Sequence, residues 1–454
     1  MRQLREGVGY LEYRAESSSK TVQAHEEKYR RISQIVDANP EILRAVDGDL
    51  GKLSRPNRRG RKARYSSEML LRSLIVHLLL GGSLRNTEIQ LTQNEFLRGF
   101  IRIGHRPEAP SYSLLDRAWK AIRPETWERV NAVLTGYATA QEALAPAEIR
   151  VDTTAIETNV HYPTDSSLLW DSFRTLFRLF EEAREAVPGL IANRFHERKV
   201  KKDHLVITRY AASPCRKRQR KVQKAKVRLI EHVGRIAGVA AEFVTAFRES
   251  ADETLQAIAL EMASYLPSVR QVLDVARRLW IRGEAVPAAE RIYSLFEPHT
   301  ELIKRGRRQK PVEFGHMIWL GQTRSRFITQ YGVMAPRIPD SRLGERIVAA
   351  HERTFGAPPK VLVADKGFRA NPEGMAALRA KVEVVAIPQR LKDFAEDAFV
   401  ALQHFRAGIE GTISTLKRAF GLLRCPYRGF KSFAAHVGLS VFCHNLVVLA
   451  TAGP

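Results

Sequence analysis

Ala147-Glu148-Ile149-Arg150-Val151-Asp152-Thr153-Thr154-Ala155-Ile156 is where this 454-residue sequence changes character. The stretch is short, β-branched and alternating, the first convincing strand in a chain that until then reads as helix. Before it, Met69, Leu70, Leu71, Leu74, Ile75, Leu78 and Leu79 form an apolar helical face that stops at Gly81-Gly82. Ser83 is placed to cap a second helix through Asn86, Glu88 and Leu91. Helix, glycine turn, helix is shared by DNA-reading units and by generic helical hairpins. Further helices are expected around Ser113–Trp119 and Trp127–Asn131.

After the strand, Asp165 is read as the cap of a new helix. From Leu168 to Gly306 the pattern is helical, with almost no strand signal. Strands return at Pro311–Leu320 and Phe327–Met334, close enough in sequence for an antiparallel hairpin. A helix is expected from Asp340 to Gly356. Lys360-Val361-Leu362-Val363-Ala364-Asp365 is an apolar run ending in an acid, as in a buried parallel strand. Asn371-Pro372-Glu373 opens another helix by cap and proline, Val382–Ile387 is a fifth strand, and the connector from Gln389 to Asp397 leads to a further helix. The expected fold is α/β: an RNase H-like mixed five-stranded sheet with helices, plus an all-α N-terminal region. A long helical insertion follows the first strand. The expected divisions are 1–145 (helical, DNA-binding), 146–165 (first core strand), 166–308 (basic insertion) and 309–454 (rest of the core).

Composition narrows the partner. Lys and Arg number 73 against 49 Asp and Glu, a net charge of +24 with a pI near 10.2. That is the footprint of a polyanion binder, and nucleic acid is the commonest large polyanion. Ribosomal and architectural proteins share it, so charge indicates a partner and not an activity. Between Arg194 and Arg228 lie fourteen basic residues against two acids, Glu197 and Asp203; Arg218 and Lys221 represent this run as phosphate contacts. The Arg55–Arg64 connector, with Arg61 and Lys62, reads as a solvated linker or as an arm laid along phosphates. Cys215, Cys425 and Cys443 lack paired spacing and are expected to be reduced thiols of a cytoplasmic protein. The N-terminus has no apolar signal core. The apolar stretch Val437–Ala452 is broken by His444 and Asn445 and is expected to be a buried terminal helix, not a membrane span.

Three acids carry the chemistry. Asp152 lies on the first strand, Asp365 at the carboxyl end of the fourth, and neighbouring strand ends are where ligand chemistry collects in open α/β sheets. In Gln403-His404-Phe405-Arg406-Ala407-Gly408-Ile409-Glu410 and its continuation to Arg418, Arg406, Glu410 and Lys417 fall within roughly 40° on a helical wheel. Leu402, Phe405, Ile409, Ile413 and Leu416 form the adjoining apolar face. Three converging carboxylates repel one another. Two divalent ions such as Mg²⁺ relieve this and suit in-line phosphoryl displacement, with Arg406 and Lys417 gripping phosphates. Arg424, Arg428 and Lys431, interleaved with Tyr427 and Phe430, read as a nucleic-acid surface. Glu157 and Asp171 read as plain surface acids, Trp319 as core, and His161, His436 and His444 lack zinc spacing.

These motifs resemble the DDE transposases of bacterial insertion sequences, nearest the loosely classified ISNCY type. The likeness rests on Val151-Asp152-Thr153-Thr154, on Ala364-Asp365-Lys366-Gly367-Phe368, and on Arg406, Glu410 and Lys417 at the spacing of a Tyr-(2)-Arg-(3)-Glu-(6)-Lys signature. The tyrosine position holds Gln403, so no step relying on that tyrosine is implied. Tyr65–Ser83 and Glu157–Ser166 resemble the same group. The resemblance implies catalytic and metal-ligating roles for Asp152, Asp365 and Glu410, two Mg²⁺ or Mn²⁺ ions, and DNA contacts at Lys366, Arg406, Lys417, Arg424 and Arg428. It implies hydrolysis at the element's ends followed by attack of the 3′-hydroxyl on target DNA. The partners implied are double-stranded DNA (terminal inverted repeats and target) and a second subunit on that DNA. The location implied is the cytoplasm, at the nucleoid. No nucleotide cofactor is implied, and no P-loop is evident. The alternatives are an RNase H-like nuclease that cuts without joining, and a non-catalytic DNA-binding protein with a transposase-like body.

Overall fold

A computed structural model describes residues 2–5, 18–54, 63–304, 311–388 and 397–452. Arg61 and Lys62 lie outside the described residues. The chain divides into two compact units, residues 1–158 with 316–454, and residues 159–315.

The first unit begins with seven helices: α1 (Lys20–Ala38), α2 (Pro40–Leu50), α3 (Ser67–Leu80), α4 (Leu84–Gln93), α5 (Glu95–Ile101), α6 (Tyr112–Ala121) and α7 (Pro124–Ala140). Helix α3 is buried nearly all round rather than on one face. That burial takes in the charged pair Arg72 and Glu68, which bond to each other at 3.0 Å. Asp37 and Arg102 join the network, Arg72 meeting Asp37 at 3.0 Å and Arg102 reaching both acids, as Arg5 does at 3.5 and 3.6 Å. Pairing of this kind offsets the cost of burying these charges. Ser83 caps α4 as its type suggests, accepting from the Asn86 amide. The chain bends by 110° between α3 and α4, and Gly81 and Gly82 turn it at positive φ.

The strands are β1 (Glu148–Glu157), β2 (Glu301–Lys304), β3 (Val312–Gln322), β4 (Ile328–Met334), β5 (Val361–Val363) and β6 (Val384–Ala386), of which β2 and residues 312–315 of β3 belong to the second unit. It is a mixed six-stranded sheet, not the five-stranded one expected. The extra strand, β2, falls inside the stretch read as wholly helical, because four residues are too few to show an alternation. It pairs antiparallel with residues 312–315 of β3. The hairpin β3–β4 is antiparallel as expected. Strand β3 also neighbours β1, which runs parallel to β5, and β5 parallel to β6. Helices α12 (Gly344–Phe355) and α13 (Pro372–Lys381) precede β5 and β6, and α14 (Asp397–Ala419) and α15 (Phe430–Thr451) close the chain.

By length and composition α15 could cross a membrane, but it is largely buried. It packs against α1, α7 and β4. The polar residues that interrupt its apolar run dock it: Asn445 exchanges two hydrogen bonds with the Ile328 backbone, at 2.9 and 2.8 Å. His444 and His436 bond through Nε2 to the carbonyls of Arg326 and Gly421, both at 3.0 Å.

The second unit contains α8 (Asp165–Ala186), α9 (Glu197–Tyr210), α10 (Arg216–Phe247) and α11 (Glu253–Trp280) around a core of their own. Thr164, not Asp165, caps α8 in a reciprocal capping box with Ser167. Asp165 instead pairs with Arg291 at 3.1 Å. Asp171 is buried, contrary to its reading as a surface acid, and bonds Arg174 at 2.9 Å with His161 at 3.5 Å.

Candidate active site

Strand β1 presents Arg150, Asp152 and Thr154 on one face by alternation, and α14 packs against that strand. Phe405, Ile409, Thr412 and Leu416 are the buried side of α14. Arg406 and Glu410 consequently lie on its more open flank. The Arg406 guanidinium donates to Glu410 at 2.8 Å and comes within 3.9 Å of Asp152. Asp152 is only 16% exposed, Glu410 62%.

Asp365 follows β5 and caps its own turn, accepting from the Gly367 amide at 2.9 Å. It is also felt at Asp152. Burial pushes the Asp152 carboxyl up to about 6, the negative charges of Asp365 and Glu410 push the same way, and Thr153's amide and Arg406 oppose them. The three acids therefore share one electrostatic neighbourhood. Among the described residues, no three Asp, Glu, His or Cys side chains are gathered closely enough to hold a metal ion. The donor set is nevertheless all carboxylate oxygen, which suits a hard divalent cation, and a carboxyl raised by burial and by neighbouring negative charge is one that a cation would stabilise in its ionised form.

The remaining basic candidates are spread more widely. Lys366 is exposed directly after Asp365, and Lys417 is half-buried further along α14. Arg424 and Arg428 are exposed. The segment carrying Arg424 runs beside the end of β1, with the Cys425 amide donating to the Glu157 carbonyl at 2.8 Å. Tyr427 is not a stacking platform for bases. It is buried on Trp119, with ring centroids 4.4 Å apart. Trp319 is half-buried rather than core, its ring filling the space beside Gly332. Gln403, where the signature has tyrosine, donates to the Ala386 carbonyl at 3.1 Å, tying α14 to β6. In the second unit, Arg218 and Lys221 are exposed on α10.

Three features escaped the sequence reading. Arg150 is buried two residues before Asp152; its even spacing from Asp152 on a strand was the available signal. Asp340 accepts from the Thr153 hydroxyl at 3.2 Å, and no pattern announced it. Helix α4 exposes Arg85, Asn86, Ile89 and Gln93 on one side, with Arg85 stacked 4.9 Å over the Tyr112 ring.

Two family models match the chain. Residues 316–446 match the Transposase DDE domain, and residues 16–120 match the Transposase domain (DUF772). By family, this is a DDE-type insertion-sequence transposase. No curated protein and no solved structure matches it. Family membership gives the transposase DNA as its partner and polynucleotidyl transfer as its class of activity.

Proposed function

We propose that this transposase cuts phosphodiesters at the ends of its element and joins the freed 3′-hydroxyls to target DNA, with Asp152, Asp365 and Glu410 as the catalytic acids. The observation that carries this reading is the Asp152 carboxyl, flanked by Arg406 and raised first by burial and then by the charges of Asp365 and Glu410, acids brought from distant parts of the chain. The strand order β4-β3-β1-β5-β6 supports an RNase H-like core, since it sets the carboxyl end of β5, at Val363, beside Arg150 of β1, two residues before Asp152.

Bound Mg²⁺ or Mn²⁺, as two ions held by these acids, would supply activation of the attacking oxygen and stabilisation of the leaving one. The chain's own groups do the rest. Arg406 holds Glu410 in place and offers guanidinium N–H groups to a phosphate oxygen. Lys366 and Lys417 add positive charge where the scissile strand would lie, and Arg424 and Arg428 extend it along the backbone. The exposed basic face of α10, including Arg218 and Lys221, takes flanking phosphates. The α4 face, after a 110° turn like that of helix-turn-helix units, reads bases. The divisions 1–145, 146–165, 166–308 and 309–454 stand as the proposed parts, acting in the cytoplasm at the nucleoid, with two subunits bridging two ends.

The test incubates the protein, Mg²⁺, a labelled element end and a supercoiled plasmid. Cleavage plus joined product is expected from the wild type and neither from Asp152→Asn. Cleavage without joining would leave a nuclease, and DNA binding without cleavage would leave a non-catalytic binder; either overturns the proposal.

A further inference from the structure

Arg150 is only 5% exposed, and its described partners are all neutral. Its Nε donates to Gln322 Oε1 at 2.8 Å, its Nη1 to the Phe405 carbonyl at 2.7 Å, and its plane lies 4.9 Å over the Phe405 ring. Burying a guanidinium without a carboxylate is costly, so the placement calls for a reason. On the α14 side, Arg150 fills the space where residue 408 would carry a side chain. A β-carbon at Gly408 would sit 2.1 Å from Nη1 and 2.9 Å from Cζ. Gly411, three residues on in the same helix, has nothing within 4 Å of that position. Glycine is disfavoured inside a helix, and only Gly408 has a steric reason to be there. Gln322 extends the contact by donating to Thr412 Oγ1 at 2.9 Å. Residues 405, 408 and 412, on successive turns of α14, are thus engaged by one buried network rooted on β1 and β3.

We infer that Arg150 is a positioning residue that fixes the rotation and register of α14, and that Gly408 is the notch admitting it. Because a helix turns about 100° per residue, a slip of one residue would carry Glu410 and Arg406 away from Asp152. Arg150 and Asp152 leave the same strand face, so the pin and the acid it serves share one rigid element. The catalytic part of this inference rests on the proposed function; the pin itself does not.

The test is a mutant cycle on the full chain: Gly408→Ala, Gly411→Ala, Arg150→Lys, and Arg150→Lys with Gly408→Ala. Thermal unfolding is measured without DNA or metal, then end cleavage at saturating DNA with KM and kcat separated. Lysine ends one atom short of Nη1, the atom that a β-carbon at residue 408 would meet at 2.1 Å, and so relieves that overlap. The expected results are that Gly408→Ala lowers the unfolding midpoint and cuts kcat at least tenfold with KM within threefold, and that Gly411→Ala leaves kcat unchanged and raises the midpoint slightly, as relief of a helix glycine should. The double variant should recover both quantities relative to Gly408→Ala alone, and that recovery supports the pin even if Gly408→Ala alone fails to fold. Equal behaviour of Gly408→Ala and Gly411→Ala, or no recovery in the double variant, overturns the inference. A wild type inactive on DNA that still shows the coupling in unfolding would sink the catalytic reading and leave the pin.

Discussion

The guanidinium of Arg406 lies 3.9 Å from the carboxylate of Asp152. One residue comes from the penultimate helix and the other from the first strand, so this approach joins the two parts of the site that sequence separates most. Arg406 also bonds Glu410 at 2.8 Å. A single cation between two acids moderates their repulsion without cancelling it, because Asp365 adds a third negative charge.

Arg406 should therefore matter for its shape as well as its charge. Lysine keeps the charge but loses the planar fork that can hold Glu410 and a phosphate oxygen together. Arg406→Lys is expected to slow end cleavage by about tenfold to a hundredfold, and Arg406→Ala by more. Affinity for element-end DNA should stay within about threefold, as one phosphate contact among many is lost. Gel-shift titration and single-turnover cleavage on one preparation check this, and an affinity loss as large as the rate loss would refute it.

The acid at the centre should weigh against stability. In the folded chain the Asp152 carboxyl is raised from 3.8 to about 6, so the folded state holds its proton more tightly than the unfolded state. The sign follows from linkage: stability contributed by the protonated group is full below pH 3.8 and is lost as pH rises to about 6. Above that, the ionised carboxylate costs on the order of 3 kcal/mol. Asp152→Asn should accordingly be inactive yet more stable than the wild type at pH 8, and indistinguishable from it at low pH. Urea titrations across that range, with chelator present, measure the difference. A less stable Asn variant at pH 8 would mean that Arg406 over-compensates the burial.

How legible this was depends on the length of each signal. Strand β1 and the β3–β4 hairpin were readable because β-branched alternation ran long enough; β2 was not, having only four residues. The helical wheel grouped Arg406 with Glu410, and periodicity put Phe405, Ile409 and Leu416 on the buried side. It could not show that Arg150 reaches across to that helix, since nothing local in either segment encodes a contact 255 residues apart. Tyr427 misled for the complementary reason. Aromatic-basic interleaving looks alike whether the ring stacks on a base or on Trp119, and only packing tells them apart.

Metal should report on the site without any DNA. If Asp152, Asp365 and Glu410 bind divalent ions in the folded chain alone, Mn²⁺ at about a hundred times its dissociation constant should add about 2.7 kcal/mol of stability. The increment should shrink sharply in Asp365→Asn and in Glu410→Gln, and chelator should abolish both it and cleavage. Calorimetry with and without Mn²⁺ decides, and equal increments in all variants would place the binding elsewhere.

The two proposed DNA surfaces should differ in kind. Arg85 and Asn86 on α4 carry the side chains that bond guanine and adenine edges bidentately, and both are exposed beside Ile89, which is 50% exposed. Alanine at either is expected to cost about 1–3 kcal/mol on the element's own end and almost nothing on unrelated DNA. Arg218 and Lys221 on α10 sit in a dense basic run and are proposed to act through charge on phosphates. Alanine at both should weaken binding to all sequences alike and lower the salt dependence of affinity by about two phosphate contacts. Binding to cognate and scrambled duplexes over a range of salt separates the cases. A sequence-independent loss at Asn86 would remove α4 as the reader, and a sequence-dependent loss at Lys221 would mean that the insertion, not the N-terminal helices, recognises the end.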